Sequence, residues 1–185
     1  MVKTLSNMIE LGTTAPNFTL LDVVSDKQIN LKNHKGDIAT VIMFICNHCP
    51  FVKHVNEQLT QLASYYMAKG IQFIAINSND VNNYPDDSPV NMIKAAKQQN
   101  YPFVYLFDET QEVAQAYKAA CTPDFYVFDK ALSLVYRGQL DDSRPGNDIP
   151  CDGSSIRQTL DHLLNDESVQ QDQKPSIGCN IKWKS

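Results

Sequence analysis

Apolar residues in this chain follow two alternating patterns, short continuous runs and helically spaced sets, which predict alternating strands and helices. The runs Ala39–Ile45 and Ile71–Asn77 are rich in β-branched residues and are typical of strands buried on both faces. Pro50–Lys69 has apolar residues every three or four positions, as an amphipathic helix does. The other predicted elements are a hairpin of Phe18–Val24 with Gln28–Leu31, a helix from Pro89 to Gln99, a strand Phe103–Phe107, a helix from a capping box at Asp108–Gln111 to Ala120, strands Asp124–Phe128 and Leu132–Arg137, and a last helix at Ile156–Leu164.

The order of these elements, β-β-β-α-β-α-β-α-β-β-α, predicts an α/β fold with a mainly parallel central sheet, helices on both faces and an antiparallel pair at one edge. In such folds the active residues lie beyond the carboxyl ends of the central strands. We assign residues 1–165 to one domain. Residues 166–185 form a polar C-terminal tail, and the apolar residues within 175–183 give that tail a means of docking back on the domain.

Composition narrows the class of protein. The 185 residues fit one domain that buries enough surface to fold without disulfides. A formal net charge of −5 argues against nucleic acid or an anionic membrane as a partner. The longest apolar stretch, Ile38–Cys46, is too short to span a bilayer, and residues 1–10 lack the apolar core of a signal peptide. We therefore expect a cytoplasmic protein.

The segment Cys46-Asn47-His48-Cys49 lies where the first buried strand passes into the helix that begins at Pro50. Two thiols in a first helical turn can reach disulfide geometry. The N–H groups and the positive end of the helix dipole stabilise a thiolate, which is the reactive form of cysteine. A protonated His48 would stabilise the thiolate further and make the disulfide more oxidising. The motif therefore indicates a redox-active dithiol.

Two other interpretations of this motif stay open. Cys46 and Cys49 could be small buried hydrophobic residues, or they could bind zinc or copper with His48 or His54. A zinc cluster usually supplies a second close pair of cysteines, whereas the remaining cysteines stand singly, at Cys121, Cys151 and Cys179. We therefore favour the redox interpretation and expect no metal. The odd count of five cysteines also argues against a disulfide framework.

Thr122-Pro123 precedes the predicted strand Asp124–Phe128, and a proline there fits the first position of a strand or a special turn. Taken with the Cys46–Cys49 motif, this segment resembles the cis-proline turn of a thioredoxin-fold redoxin. The opening residues Gly12–Leu20 resemble the AhpC/TSA (peroxiredoxin-like) branch of that superfamily. Three further segments resemble its cytosolic thiol-disulfide oxidoreductases: Cys46–His54, Ala120–Asp129 and Gly138–Pro145.

The resemblance implies a thioredoxin-like fold, in which helices flank a central mixed β-sheet with an N-terminal β-hairpin extension. It implies that Cys46 attacks a substrate disulfide, that Cys49 resolves the mixed disulfide, and that His48 tunes the redox potential. Thr122 and Pro123 would bind the substrate backbone. The cysteine next to them, Cys121, is a candidate for an additional redox thiol.

The implied substrates are protein or small-molecule disulfides and thiols, with peroxides as a further class, and the implied reductant is a cellular thiol. No organic cofactor is required. As a thiol peroxidase, the alternative function, the protein would use Cys49 as the peroxidatic thiol, with Arg137 or Arg144 beside it. Peroxiredoxins have proline and threonine at the positions of Ile42 and Cys46, so this sequence departs from their peroxide-binding motif.

Overall fold

The three central strands of the main sheet are parallel, and both edges of that sheet are antiparallel hairpins. In the computed structural model, which describes residues 3–184, the strands are β1 Lys3–Leu5, β2 Thr19–Asp22, β3 Lys27–Asn30, β4 Ala39–Phe44, β5 Ile71–Asn77, β6 Val104–Phe107, β7 Cys121–Thr122, β8 Asp124–Asp129, β9 Leu134–Gly138 and β10 Ile177–Asn180. The helices are α1 Leu31–His34, α2 Pro50–Met67, α3 Pro89–Gln98, α4 Glu112–Ala116 and α5 Ser154–Leu164, with a 3₁₀ turn at Pro85–Asp87.

The main sheet has the order β3-β2-β6-β5-β4-β8-β9. Strands β4, β5 and β6 are parallel, β2–β3 pairs antiparallel with β6, and β8–β9 pairs antiparallel with β4. The prediction of a mixed central sheet with an N-terminal hairpin is therefore confirmed. Because the carboxyl ends of β4 and β5 meet at one edge, the Cys46–Cys49 segment and the loop 78–88 are neighbours.

The strand β4 separates the two halves of the core. Val41 and Met43 point into a cluster shared with α2, α3 and α5, while Ile42 and Phe44 point into a second cluster shared with α1 and α4. This alternation is the period of two that an extended strand imposes, and every residue of β4 is buried. Over residues 3–184, no helix combines the length and the apolar character needed to cross a bilayer.

The predicted helix from Asp108 to Ala120 is wrong in its start and its length. The structure has only the five residues of α4, Glu112–Ala116. Gln111 takes a left-handed backbone conformation, with φ of 65°, and its side-chain amide donates to backbone carbonyl groups outside the helix. The carboxylate of Asp108 accepts from the N–H of Ala114 at 2.9 Å, which starts the helix later than a capping box would.

The predicted strand Gln28–Leu31 also ends early. The side chain of Asn30 accepts from the N–H of Lys32 at 3.1 Å and so caps the short helix α1, which the sequence pattern did not indicate. By contrast, α3 begins at Pro89 as predicted, although the side chain of Ser88 makes no capping hydrogen bond.

A second, three-stranded sheet joins the two ends of the described chain to the body, in the order β1-β10-β7. Cys179 of β10 pairs with Thr122 of β7. Gly178 makes this close approach possible, because a Cβ at that position would collide with the carbonyl group of Thr122. The C-terminal strand is thus packed directly against the Thr122–Pro123 turn.

Replacing Gly178 with alanine should lower the free energy of unfolding by about 1–3 kcal/mol, because β10 must move away from Thr122 to admit the methyl group. Denaturant unfolding measures this change. The matched control is Gln171→Ala, an exposed residue of the same C-terminal segment, which should change stability by less than about 0.5 kcal/mol. A Gly178→Ala protein as stable as the wild type would contradict the packing of β10.

Candidate active site

The two cysteines of the Cys46–Cys49 motif lie at the N-terminus of α2. Cys46 follows β4, and Cys49 is the N-cap residue of α2, with Pro50 at the first helical position. Proline suits this position because its missing N–H has no partner there and its fixed φ is already helical. Both thiols are buried, Cys46 with 2% and Cys49 with 0% of its surface exposed. Neither cysteine is therefore freely open to solvent.

Thr122 contacts both sulfur atoms. Cys46 Sγ lies 3.2 Å from Thr122 Oγ1, and Cys49 Sγ lies 3.2 Å from the Thr122 carbonyl oxygen. The Thr122–Pro123 peptide bond is cis. The turn singled out by sequence is therefore in direct contact with the dithiol, through a residue that is itself buried.

A third sulfur atom reaches this site from the C-terminal segment. Cys179 Sγ lies 2.7 Å from Cys49 Sγ, and Cys179 is 3% exposed. Sequence analysis left Cys179 without an assigned role, because the distance along the chain between these cysteines gives no sign that they meet. The signal that could have found it is the glycine before it, Gly178, which marks a close approach of two backbones.

The pKa values of the three neighbouring thiols are shifted in different directions. The thiol of Cys46 donates to Cys49, and this hydrogen bond lowers the pKa of Cys49 to about 5 against the burial that raises it. The Cys179 thiol and the backbone N–H groups of Val52 and Cys179 also lower the pKa of Cys49. When protonated, the Cys49 thiol donates to the Thr122 carbonyl oxygen at 3.2 Å. The hydrogen bond to Cys49, then burial, raises the pKa of Cys46 well above its usual range. Burial and then the hydrogen bond to Cys49 raise the pKa of Cys179 to about 12. Of these three thiols, Cys49 is therefore the one whose pKa is lowered.

His48 is held by a buried carboxylate that sequence analysis did not single out. His48 Nδ1 lies 2.7 Å from Asp87 Oδ2, and the Asp87 side chain is fully buried. The hydrogen bond to Asp87 raises the pKa of His48 above its usual value, although burial acts in the opposite direction. The ring of His48 also stacks on Tyr84, with centroids 5.6 Å apart and planes 13° from parallel.

Further hydrogen-bond donors compensate for the cost of burying the Asp87 carboxylate. It accepts from the Asn47 N–H at 2.7 Å and from the Asn79 side-chain amide at 2.8 Å. Burial raises the pKa of Asp87, but the hydrogen bonds from His48, Asn79 and Asn47 outweigh it and lower that pKa below its usual value. A charged Asp87 thus fixes the backbone of the motif and the orientation of His48 together.

The same groups supply a possible donor set for a cation. A sulfur of Cys46, a ring nitrogen of His48 and a carboxylate oxygen of Asp87 lie within 4.8 Å of one another. His54, the other histidine considered for a metal site, is instead 3.0 Å from Ser143 Oγ through Nε2. The ion pair between His48 and Asp87 already satisfies two of these three groups without a metal.

Cys121 and Cys151 lie outside this cluster of hydrogen-bonded thiols. The Cys121 thiol is 3.7 Å from the Pro123 carbonyl oxygen, and burial raises its pKa above the usual range. Cys151 is half-buried near Asp141, and burial raises its pKa to about 11. Burial thus shifts the pKa of both thiols in the direction opposite to the shift of Cys49.

The two arginines suggested as peroxide-binding groups are engaged elsewhere. Arg137 is fully buried, and its guanidinium group donates to Asp124 Oδ2 at 2.8 Å. Arg144 donates to Gln139 and to the carbonyl oxygens of Asp141 and Ser143. In these positions the arginines support the turn and the loop after β9, and their hydrogen bonds do not go to the dithiol.

Comparisons with known proteins agree with this architecture. The sequence profile of the AhpC/TSA family matches residues 11–137. No curated protein matches the chain. Among solved structures, an uncharacterized conserved protein from Geobacillus kaustophilus is 61% identical and has a TM-score of 0.98, covering 100% of this chain and 97% of its own.

Two more distant structures show the fold class. A thiol:disulfide interchange protein of the thioredoxin family from Chlorobium tepidum TLS is 16% identical with a TM-score of 0.64, covering 85% of this chain and 99% of its own. The peroxidoxin BcpB from Mycobacterium tuberculosis is 15% identical with a TM-score of 0.64, covering 87% and 100%. The fold is therefore thioredoxin-like, as the resemblance implied.

Replacing Asp87 with asparagine should lower the pKa of His48, because the hydrogen bond that raises it is weakened while burial remains. In the wild type, the stabilisation from a protonated His48 is complete below its unfolded-state pKa and is lost as pH rises through the folded-state pKa. NMR titration measures the change, with the His48 signal assigned from His48→Gln.

The control for this experiment is Asp86→Asn, because Asp86 is exposed and only its backbone carbonyl group contacts the motif, through Asn47. That variant should leave the His48 titration unchanged. An unaltered His48 pKa in Asp87→Asn would show that the ion pair does not control its charge.

Proposed function

The chain belongs to the AhpC/TSA family, and from that premise we propose that it is a thiol-disulfide oxidoreductase that uses Cys46 and Cys49 as its redox pair. Members of this family are thioredoxin-like oxidoreductases that act on thiols, disulfides or peroxides. The observation that carries the proposal is the contact of Thr122, in the cis-proline turn, with the sulfur atoms of both Cys46 and Cys49 at the N-terminus of α2.

The thiols of Cys46 and Cys49 can carry out a balanced reaction cycle. The sulfur of Cys46 attacks the substrate disulfide while its proton passes to the Cys49 thiolate, and the first substrate thiolate leaves. Cys49 then attacks Cys46 in the mixed disulfide, and its proton leaves with the second substrate thiolate. The products are a Cys46–Cys49 disulfide and a substrate reduced by two electrons. A cellular thiol would return the pair to the reduced state.

His48 serves in this proposal as the group that tunes the redox potential. The Cys49 thiolate contributes to the raised pKa of His48, so the imidazolium and the thiolate stabilise each other. That interaction favours the reduced form, which makes the disulfide more oxidising. Asp87 acts through His48 by holding its ring in place.

The position of β10 bears on the substrates. We propose that Thr122 and Pro123 contact the substrate next to the sulfurs, but the backbone edge of Thr122 is paired with Cys179. A peptide could pair with that edge only after β10 leaves it. Small disulfides need only reach Cys46, and they are therefore the substrates that this closed arrangement favours. No step in the cycle calls for an organic cofactor, nucleic acid or a membrane.

Peroxide reduction is a second candidate function, favoured by the lowered pKa of Cys49. The Cys49 thiolate would attack a hydroperoxide, leaving a sulfenic acid and releasing an alcohol, or water if the oxidant is hydrogen peroxide. Cys46 would then condense with the sulfenic acid, releasing water and forming the same disulfide. Against this candidate, Ile42 and Cys46 occupy the positions of the peroxide-binding proline and threonine. Either chemistry requires a reducing partner, and we propose the cytosol as the compartment.

A Cys49→Ser variant should retain one glutathione as a stable mixed disulfide on Cys46 after incubation with oxidised glutathione, because the resolving thiol is gone. The wild type should instead show the Cys46–Cys49 disulfide. Intact mass and peptide mapping without reductant measure both products. The control is Cys151→Ser, which removes a partly exposed single thiol and should behave as the wild type.

The two candidate functions separate on a Cys46→Ser/Cys179→Ser variant treated with hydrogen peroxide, in which the sulfur atom that lies beside Cys49 is also absent. Fast peroxide consumption with sulfenic acid trapped on Cys49 would establish the peroxidase role instead. A wild-type protein that forms no Cys46–Cys49 disulfide with either oxidant would refute both candidates.

A further inference from the structure

Cys179 lies beside the dithiol, and the reaction cycle proposed above gives it no role. We propose that it is a third redox cysteine, which displaces Cys46 from the Cys46–Cys49 disulfide and forms a Cys49–Cys179 disulfide instead. This inference rests on the proposed function. The sulfurs of Cys49 and Cys179 are 2.7 Å apart, and a disulfide bond is about 2.05 Å long. A small movement of either side chain would therefore bring them to bonding distance.

Contacts of the residues before and after Cys179 in the chain fix its position. Before it, Ser176 donates its hydroxyl proton to the Pro123 carbonyl oxygen at 2.7 Å, and Gly178 lets the backbone approach Thr122. After it, the Ile181 N–H donates to the Ala120 carbonyl oxygen at 3.1 Å. Together these contacts hold the Cys179 thiol against Cys49.

The segment that follows is held by a different part of the molecule. The N–H of Lys182 donates to the Asn79 side chain at 2.8 Å, and the carbonyl oxygen of Lys182 accepts from Asp80 and from Gln111, both at 2.8 Å. Lys182 is 7% exposed, which is unusual for lysine. Three separate loops thus hold the strand that delivers the sulfur, as expected of a thiol placed for chemistry.

The exchange step conserves electrons. In the oxidised protein, the sulfur of Cys179 attacks Cys49 Sγ, the Cys46–Cys49 bond breaks, and a Cys49–Cys179 bond forms. The proton of the Cys179 thiol moves to the departing Cys46 sulfur. In the reduced protein the Cys49 thiolate helps to hold the proton on Cys179, and that influence disappears once Cys49 is in a disulfide.

The exchange has a functional consequence for Cys46 and for β10. It restores a thiol at Cys46 and moves the disulfide bond to Cys49 and Cys179, two residues that are as deeply buried as Cys46. It also links β10 covalently to Cys49, in addition to the pairing of β10 with Thr122 and the packing of Cys179 in the core. In the oxidised protein, a peptide backbone could then not pair with Thr122, whereas a small thiol could still reduce the disulfide.

The test is disulfide mapping of the full chain after oxidation by oxidised glutathione, acid quenching and alkylation. The wild type should contain both Cys46–Cys49 and Cys49–Cys179 linkages. The Cys46→Ser variant should still lose two hydrogens and form Cys49–Cys179. Cys46→Ser/Cys179→Ser should form no internal disulfide, while the matched control Cys46→Ser/Cys151→Ser should form it as fully as Cys46→Ser.

The outcomes separate this inference from the proposed function. Wild-type protein with only the Cys46–Cys49 linkage, together with a Cys46→Ser variant that carries only a glutathione adduct, would overturn the role of Cys179 and leave the proposed function intact. Absence of any internal disulfide in the wild type would refute the proposed function itself. Circular dichroism establishes that each variant is folded, and Cys179→Ala provides a second replacement if serine at the buried position unfolds the protein.

Discussion

The rest of the site depends on the contact between Thr122 and the thiols at the start of α2. The hydroxyl group of Thr122 touches Cys46, its carbonyl oxygen touches Cys49, and its backbone pairs with the strand that carries Cys179. One buried residue thereby sets the distances among three sulfurs that come from distant parts of the chain. Because interiors are close-packed, a shift of Thr122 would change all three contacts together.

Charge at this site is arranged around two buried anions. The thiolate of Cys49 is stabilised by the thiols of Cys46 and Cys179 and by the N–H groups of Val52 and Cys179. The carboxylate of Asp87 is stabilised by His48, Asn47 and Asn79. An isolated buried charge is costly, whereas one that accepts several hydrogen bonds can persist. Both anionic groups raise the pKa of His48, Asp87 through a hydrogen bond and Cys49 through its charge.

Much of this arrangement follows from the sequence, and the reasons are local. The buried run that forms β4, the helical spacing of α2 and the motif between them locate the dithiol, because their patterns are periodic and strong. The Thr122–Pro123 turn was identified because proline is restricted in strands. Asp87 was passed over as one acidic residue of a polar loop, since only the tertiary fold shows that it is buried.

The strand in the C-terminal segment and its contacts could not be predicted from the sequence. A strand of four residues, Ile177–Asn180, is too short for its alternation to be distinctive, and its pairing with Thr122 closes a loop of more than fifty residues. Likewise, the side chain of Gln111 leaves its predicted capping box because the carbonyl groups of Ser78 and Lys182 are better placed to accept from it. Both departures from prediction are long-range contacts, and both involve the segment that delivers Cys179.

The central claim is that Cys49 is the shared partner in every internal disulfide of this site. The most direct measurement is the Cβ chemical shift of each isotope-labelled cysteine, which distinguishes thiols from disulfides, recorded for the reduced and the oxidised protein. We predict that Cys49 becomes fully oxidised, that part of the protein pairs it with Cys46 and part with Cys179, and that Cys121 and Cys151 stay reduced. An oxidised protein in which Cys49 remains a thiol, or in which Cys121 or Cys151 takes its place, would contradict the account.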